Sequence, residues 1–156
     1  MAFVAGAVVV LALVGIDQLT KYLVLAHIAD GVPVRFIPEF IQLRYVQNTG
    51  AAFSMFSDKT WLLSVITAAI IIVAVILLLM GKVEGKGKQI SALLIIAGGL
   101  GNLIDRVFRH FVVDFLEFTF MDFAVFNFAD ICVTIGAAIL IIILLIEIFR
   151  EPKNEQ

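Results

Sequence analysis

The chain has 156 residues, of which 62% are hydrophobic and 15% charged, and its mean hydropathy is +1.11. A water-soluble domain of this length carries roughly a quarter charged residues, so the composition argues against one and favours a chain that lies in lipid. The formal net charge of −2 provides no basic surface, which argues against nucleic acid as a partner. The single cysteine, Cys132, excludes an internal disulfide framework and a multi-cysteine metal site.

Four apolar segments are each long enough to cross roughly 30 Å of hydrocarbon at about 1.5 Å per residue. They span about residues 2–25, 61–80, 89–108 and 128–149. No basic region precedes the first segment, so we expect a retained helix rather than a cleaved signal peptide. The sequence therefore predicts a membrane all-α bundle of four transmembrane helices, in a single integral-membrane domain over residues 1–156.

The connection over residues 27–60 is the one substantial extramembrane region that the pattern predicts. Its segment IQLRY, residues 41–45, alternates apolar and polar side chains with the period of a half-buried strand. Pro33 and Pro38 precede it, and NTG at 48–50 supplies turn residues. We expect a small extramembrane β-sheet between helices 1 and 2, on the outer membrane face, and a plain loop over residues 109–127.

Basic residues give a weak indication of orientation. An even number of spans places both termini on one side, where five of the lysines and arginines fall, against six on the other. Three of the five, Lys82, Lys86 and Lys88, crowd into the short loop at 81–88. This density favours a cytoplasmic loop, and with it cytoplasmic termini.

Several polar residues lie within or beside the apolar spans, where charge is costly. In the first span, Asp17 and Lys21 share one helix face at i, i+4. They form either an interfacial ion pair that fixes the helix end or a pair that orients a site at the same depth.

The third span contains a second polar group, in the stretch GGLGNLIDR at 98–106. Asn102, Asp105 and Arg106 again share one face, and the glycines leave room for a helix or ligand to approach. The structural interpretation is interhelical hydrogen bonding with an Asp–Arg pair. The functional one is that Arg106 binds a carbonyl or carboxylate group.

Two aspartates flank the last loop at the same predicted membrane face. Asp114 ends VVD after the third span, and Asp130 ends FNFAD at the start of the fourth, three residues after Asn127. Asp130 also suits a helix cap, and Asp114 a solvated loop acid. Glu117 and Asp122, between them, are expected to be solvated.

Two carboxylates held close together cannot both ionise easily, so one keeps a proton. The ionised member can then deprotonate a water that attacks an amide, while the protonated member polarises the carbonyl. The two titrate as a unit. This chemistry needs neither a metal nor a serine.

Other chemistries and other classes of protein have weaker support. His27 and His110 lack the spacing of metal ligands, and no feature singles out Ser54, Ser57 or Ser64 as a nucleophile with Lys21 or Lys59 as its base. A small transporter would place ionisable residues near the bilayer midplane, where only Asp17 is a candidate. A non-catalytic lipid-binding or assembly protein would not need Asp114 and Asp130.

Five stretches, in order, resemble the motif blocks of bacterial lipoprotein signal peptidase, the signal peptidase II family. They are DQLTK at 17–21, NTGAAF at 48–53, GGLGNLIDR at 98–106, VVDF at 112–115 and FNFAD at 126–130. The resemblance implies an aspartic endopeptidase that removes the signal peptide from prolipoproteins, cutting before a cysteine that carries a diacylglyceryl group. It also implies the bacterial inner (cytoplasmic) membrane, an active site near its periplasmic face, and cytoplasmic termini.

The resemblance also implies a role for particular residues. Asp114 and Asp130 match the family's catalytic pair, and the matched supporting positions are Asp17, Lys21, Asn48, Gly50, Ala51, Asn102, Asp105, Arg106 and Asn127. Asn102, Arg106 and Asn127 are candidates for gripping the substrate backbone. The implied partners are lipid-modified prolipoproteins and membrane lipids, with no metal or nucleotide cofactor. His110 departs from the family, which usually has glycine there, so the backbone of that loop is harder to predict.

Overall fold

The computed structural model describes residues 2–30, 32–50 and 60–150. Its elements in chain order are α1 (Ala2–His27), β1 (Val34–Ile37), β2 (Ile41–Asn48), α2 (Thr60–Leu79), α3 (Lys86–Arg109), β3 (Val112–Phe118) and α4 (Phe128–Arg150). Within the described residues, four helices are long and apolar enough to cross a membrane. This confirms the predicted fold class.

Helix α3 is the centre of the bundle, and α1, α2 and α4 all pack against it. The outer helices expose large apolar side chains such as Leu11, Trp61 and Phe149. In water such surfaces would be a liability, whereas in a bilayer they face lipid. The bundle therefore packs three more apolar helices around α3, which is the least apolar of the four.

Helices α3 and α4 approach most closely where α3 has small residues. A Cβ added at Gly98 would collide with the backbone carbonyl of Ala129 and with Val133. Ser91 donates a buried hydrogen bond of 2.7 Å to the carbonyl of Gly136 on α4. Small side chains and a buried interhelical hydrogen bond are the usual means of helix association in lipid. They bring the start of α4 directly against α3.

The extramembrane sheet has three antiparallel strands in the order β1-β2-β3. The predicted strand at 41–45 is the start of β2, which continues to Asn48. Strand β3 comes from the 109–127 segment, which we expected to be a plain loop. Its residues 112–115 are all buried, so the alternation that normally reveals a strand is absent from this half.

Strands β2 and β3 pair with an irregularity between Leu43 and Val46, where β2 has one residue more than β3. Such a bulge re-aims the side chains beyond it. Val46 is the partner of Asp114, and Asn48 is the partner of Val112.

His110 ends α3 in the left-handed conformation, with φ 65° and ψ 7°. This backbone suits glycine at a helix C-terminus. A non-glycine residue adopts it at a cost of roughly 1–2 kcal/mol. The chain therefore keeps the turn into β3 despite the histidine.

Candidate active site

Asp114 and Asp130, here called the aspartate pair, line the same pocket of about 420 Å³. Asp114 reaches it from β3, and Asp130 reaches it from the first turn of α4. The other polar residues on its wall are Asn48, Asn102, Arg106 and Thr134. The two aspartates that the sequence singles out therefore meet in space.

Asp114 is only 2% exposed, so it is not a solvated loop acid. Asn127 Nδ2 donates to its Oδ1 at 2.6 Å, and Asn48 Nδ2 donates to its Oδ2 at 2.8 Å. Asn48 lies two residues beyond Val46, the direct partner of Asp114, and so is its diagonal neighbour on the same face of the sheet. The strand pairing thus places one of the two donors.

Asp130 caps its own helix as well as lining the pocket. Asn127 precedes α4, and its Oδ1 accepts from the backbone N of Asp130 at 2.9 Å. In return, Asp130 Oδ2 accepts from the backbone N of Asn127 at 3.1 Å. This reciprocal exchange is a capping box. The capping interpretation and the functional one are therefore compatible.

Asn102 completes the hydrogen bonding of the aspartate pair. Its Nδ2 donates to Asp130 Oδ1 at 2.7 Å, and its Oδ1 accepts from Asn127 Nδ2 at 3.0 Å. Asn127 thus contacts both aspartates and Asn102. Through these bonds Asn102 and Asn127 orient the two carboxylates.

A buried ionic cluster lies next to the aspartate pair and consists of Lys21, Asp17 and Asp105. Lys21 Nζ lies 2.9 Å from Asp17 Oδ2 and 3.0 Å from Asp105 Oδ2. All three side chains are at most 1% exposed, and the predicted Asp17–Lys21 pair forms. Lys21 Nζ also donates to Asn102 Oδ1 at 3.0 Å. The cluster therefore connects directly to the site.

Each carboxylate of the ionic cluster holds the backbone next to one member of the aspartate pair. Asp17 Oδ1 accepts from the backbone N of Ala129, and Asp105 Oδ2 accepts from that of Val113, both at 3.0 Å. These are the residues immediately before Asp130 and Asp114. A single ammonium group thus ties together the two anchors of the site.

The expected ion pair of Asp105 with Arg106 is not the one that forms. Asp105 pairs with Lys21 and with Arg109, one turn further along α3. Arg106 instead lines the pocket, with an Nη2 atom 3.4 Å from the carbonyl oxygen of Gly50. Its Nε is buried and has no hydrogen-bond partner among the described residues. Arg106 therefore lies against the pocket of the aspartate pair rather than in an ion pair with Asp105.

The NTG turn holds Asn48 in position. Asn48 Oδ1 accepts from the backbone N of Gly50 at 2.9 Å, which closes an Asx turn and leaves Nδ2 for Asp114. Ala51 lies outside the described residues, as do Ser54, Ser57 and Lys59.

Glu117 was expected to be solvated, and it is not. It is mostly buried, and it accepts from Arg44 at 2.6 Å and from Gln42 Nε2 at 2.7 Å, both on β2. Cross-strand pairing explains the difference, since the segment is a strand rather than a loop. Asp122 is exposed, as expected.

Gln18 and three phenylalanines were not identified from the sequence. Gln18 Nε2 contacts Asp17 and Asp105, and its place inside DQLTK was the available signal. Phe118, Phe123 and Phe126 line the pocket and pack on one another. In the part of the chain that the structure describes, no three His, Cys, Asp or Glu residues gather to hold a metal ion.

Burial and, to a lesser extent, the nearby charge of Asp130 raise the pKa of Asp114 from its usual value to about 7. The hydrogen bonds from Asn48 and Asn127 act in the opposite direction, because they favour the ionised form. Asp114 therefore changes protonation state near neutral pH.

Comparison with known proteins decides the family. The model of the family described as Signal peptidase (SPase) II matches residues 9–146. The chain belongs to the signal peptidase II family. It is thus an aspartic endopeptidase by family, which confirms the prediction made from the five motif blocks.

The chain is similar to curated relatives over most of its length. It is 45% identical over 132 residues to a lipoprotein signal peptidase of Streptococcus pyogenes serotype M2 (strain MGAS10270), covering 85% of this chain and 87% of the relative. It is 44% identical, with the same coverage, to the lipoprotein signal peptidase of Streptococcus pyogenes serotype M5 (strain Manfredo).

Two solved structures, both described as bacterial membrane enzymes, share the fold. One, at 2.3 Å resolution, has a TM-score of 0.86 and 33% identity over 97% of this chain and 94% of its own. The other, at 1.9 Å resolution, has a TM-score of 0.82 and 34% identity over 90% of this chain and 92% of its own.

Proposed function

We propose that this protein removes the signal peptide from lipid-modified prolipoproteins, cutting before the cysteine that carries the diacylglyceryl group, and that the aspartate pair performs the reaction. The observation that carries the proposal is the convergence of two carboxylates from separate elements on one pocket, with Asn127 bonded to both. Family membership supplies the substrate class.

The surroundings favour Asp114 as the protonated member of the pair. It is almost fully buried, and its pKa of about 7 leaves much of it neutral at physiological pH. Asp130 differs in that it lies in the first turn of α4, where the helix N-terminus favours negative charge. Asp130 is accordingly the base.

The reaction follows from these two protonation states. Ionised Asp130 takes a proton from water while the water oxygen bonds to the scissile carbonyl carbon, and Asp114 gives its proton to the carbonyl oxygen. The tetrahedral intermediate collapses when the carbon–nitrogen bond breaks. Asp130 then passes its proton to the leaving amine, and Asp114 recovers its own from the hydroxyl that becomes the new carboxyl group.

Arg106 and the pocket wall suit a lipid-anchored peptide. The guanidinium of Arg106, which lines the pocket, is the group proposed to bind a backbone carbonyl near the scissile bond. Apolar residues of α4 continue the wall beyond the aspartates, and one of them, Ile135, is 48% exposed on the outside of the bundle. The pocket is therefore continuous with the lipid-facing surface, from which an acylated substrate would enter.

The test is cleavage of a diacylglyceryl-modified prolipoprotein by purified enzyme in detergent. Asp114→Asn and Asp130→Asn should each lower kcat by about 10²–10⁴-fold, because each removes one proton-transfer group. Asp122→Asn is the matched control, since Asp122 is an exposed acid of the same connecting segment. A chelator should leave the wild-type rate unchanged.

Survival of cleavage in a folded Asp114→Asn or Asp130→Asn variant would remove that residue from the proposed pair. Failure of the wild-type enzyme on a competent substrate would favour the lipid-binding or assembly alternative.

A further inference from the structure

A second cavity lies at the opposite end of the bundle from the aspartate pair. Helices α1 and α2 both pack on α3 but barely touch each other, which leaves a groove between them. Its floor is Leu93, Ile96 and Leu100 of α3, and its walls include Val10 of α1 and Leu78 of α2. The cavity volume is about 720 Å³, within the ~300–1,000 Å³ typical of small-molecule sites.

The groove is apolar along its length and polar at one end. Gln89 lines that end, and its Nε2 donates to the carbonyl of Val83 in the α2–α3 loop at 3.2 Å. Lys86 lies three residues before Gln89, so it continues the stripe of α3 that forms the floor. The stripe of α3 that forms the floor therefore continues to a lysine one turn beyond Gln89, the last α3 residue that lines the cavity.

A second lysine is fixed at the same end. The backbone N–H of Lys82 bonds to Leu77, and that of Gly81 bonds to Leu78, with Gly81 at φ +68°. This is a Schellman motif, which ends α2 and sets Lys82 close beyond the groove wall. Lys82 and Lys86 form no ion pair with any described residue, and both are exposed.

Lys88 differs from these two. It lies on another face of α3 and pairs with Glu147 of α4 at 2.6 Å. Glu84 is the one acid in the α2–α3 loop, so the described mouth of the groove remains net positive.

We propose that this groove binds an anionic phospholipid of the leaflet opposite the aspartate pair, with an acyl chain along α3 and its phosphate beside Lys82 and Lys86. Basic pockets between membrane helices bind acidic head groups, and an apolar floor is what an acyl chain requires. A second copy of the chain fits less well, because a two-fold interface would bring the same lysines together.

Native mass spectrometry of the full-length enzyme in detergent, titrated with phosphatidylglycerol or with phosphatidylcholine of the same acyl chains, tests the site. Phosphatidylglycerol should bind more tightly. Lys86→Gln should reduce this preference roughly fivefold and Lys82→Gln by a similar factor, because each removes one surface charge near the head group. Lys88→Gln is the matched control and should retain the preference.

A second pair of variants tests the groove itself. Ala7→Trp on α1 fills the cavity and should weaken binding of both lipids by tenfold or more, whereas Ala5→Trp, which is exposed outside the groove, should not. Melting temperatures establish that each variant is folded.

Equal binding of the two lipids, or equal loss with Lys86→Gln and Lys88→Gln, would overturn the proposal. So would lipid retention in Ala7→Trp, or a two-chain particle that Ala7→Trp dissociates, since the latter would assign the groove to a second copy. None of these readouts depends on cleavage, so the result stands apart from the proposed function.

Discussion

Asp114 is the residue whose ionisation the surroundings control most directly. Burial and the charge of Asp130 oppose its ionisation, and two amide donors assist it. These opposing effects place its pKa at about 7 rather than far above neutrality. An acid that must both donate and recover a proton works best when its pKa lies near the working pH.

The pH profile should therefore show a descending limb close to neutrality. Above its pKa Asp114 is ionised and has no proton to give, so kcat/KM should fall about tenfold per pH unit once the pH exceeds about 7. Asn48→Ala removes a donor that stabilises the charged form, which raises the pKa and should move the limb to higher pH.

Gln47→Ala is the control for this profile, because Gln47 precedes Asn48 on β2 and its amide bonds instead to Tyr45. Initial rates measured from pH 5 to 9 locate the descending limb in the wild-type enzyme and in each variant. An unmoved limb in Asn48→Ala would mean that another group governs the profile.

The sequence identified the acids better than it identified their partners. Asp114 and Asp130 stand out because a carboxylate is costly near lipid and has little reason to be there without a function. Asp105 pairs with Arg109 rather than with Arg106. The pairing depends on the direction in which each side chain leaves α3, which the spacing of residues in the sequence does not fix by itself. Asn48 reaches Asp114 through a strand register that involves a bulge, which is a tertiary property.

At the scale of elements, the ionic cluster joins α1, α3, β3 and α4 through one ammonium group. Lys21 pairs with both Asp17 and Asp105, and these carboxylates hold the backbone at the start of α4 and in β3. The ionic cluster thus helps to set the geometry of the aspartate pair. A buried pair is costly to break, because it leaves unpaired charge in a poorly solvated interior.

Lys21→Met should accordingly destabilise the protein by roughly 3–5 kcal/mol, since it leaves buried Asp17 without its cation and leaves Asp105 with Arg109 alone. Lys88→Met breaks a partly exposed pair and should cost at most about 1 kcal/mol. Denaturant titration of both variants in detergent, followed by circular dichroism, measures the difference. Equal losses would show that the cluster contributes no more than a surface pair.

The helices could be predicted to within a few residues, and a small sheet with a strand at 41–45 could be predicted too, whereas strand β3 could not. A bilayer demands about twenty apolar residues per span, and that demand is visible in the sequence. Helix α3 begins at Lys86, whereas the predicted span began at about 89. The hydropathy pattern missed the first turn because that turn is polar. Strand β3 escaped prediction because both its faces are buried where it begins, and its partner lies far away in the chain.

For the whole molecule, we expect the aspartate pair to face the outside of the cell membrane and the α2–α3 loop to face the cytoplasm. Asp122 and Lys82 mark these two ends, and both are exposed. Cys132 is buried, so a cysteine introduced at either position would be the reactive one.

Labelling of spheroplasts with a membrane-impermeant maleimide tests this orientation. Asp122→Cys should react in intact spheroplasts, whereas Lys82→Cys should react only after permeabilisation. The wild-type protein, with Cys132 alone, sets the background. The reverse pattern would place the termini outside.

The late origin of β3 determines when the enzyme becomes complete during its synthesis. Asn48 and Asp114 are 66 residues apart, and α2 and α3 both lie between them. While the ribosome is still making those helices, β2 has an open edge where β3 will later pair. Asp130 follows later still, so the aspartate pair exists only when most of the chain has been translated and inserted. If the aspartate pair performs the reaction as proposed, the growing polypeptide is catalytically silent until its final helix enters the bilayer.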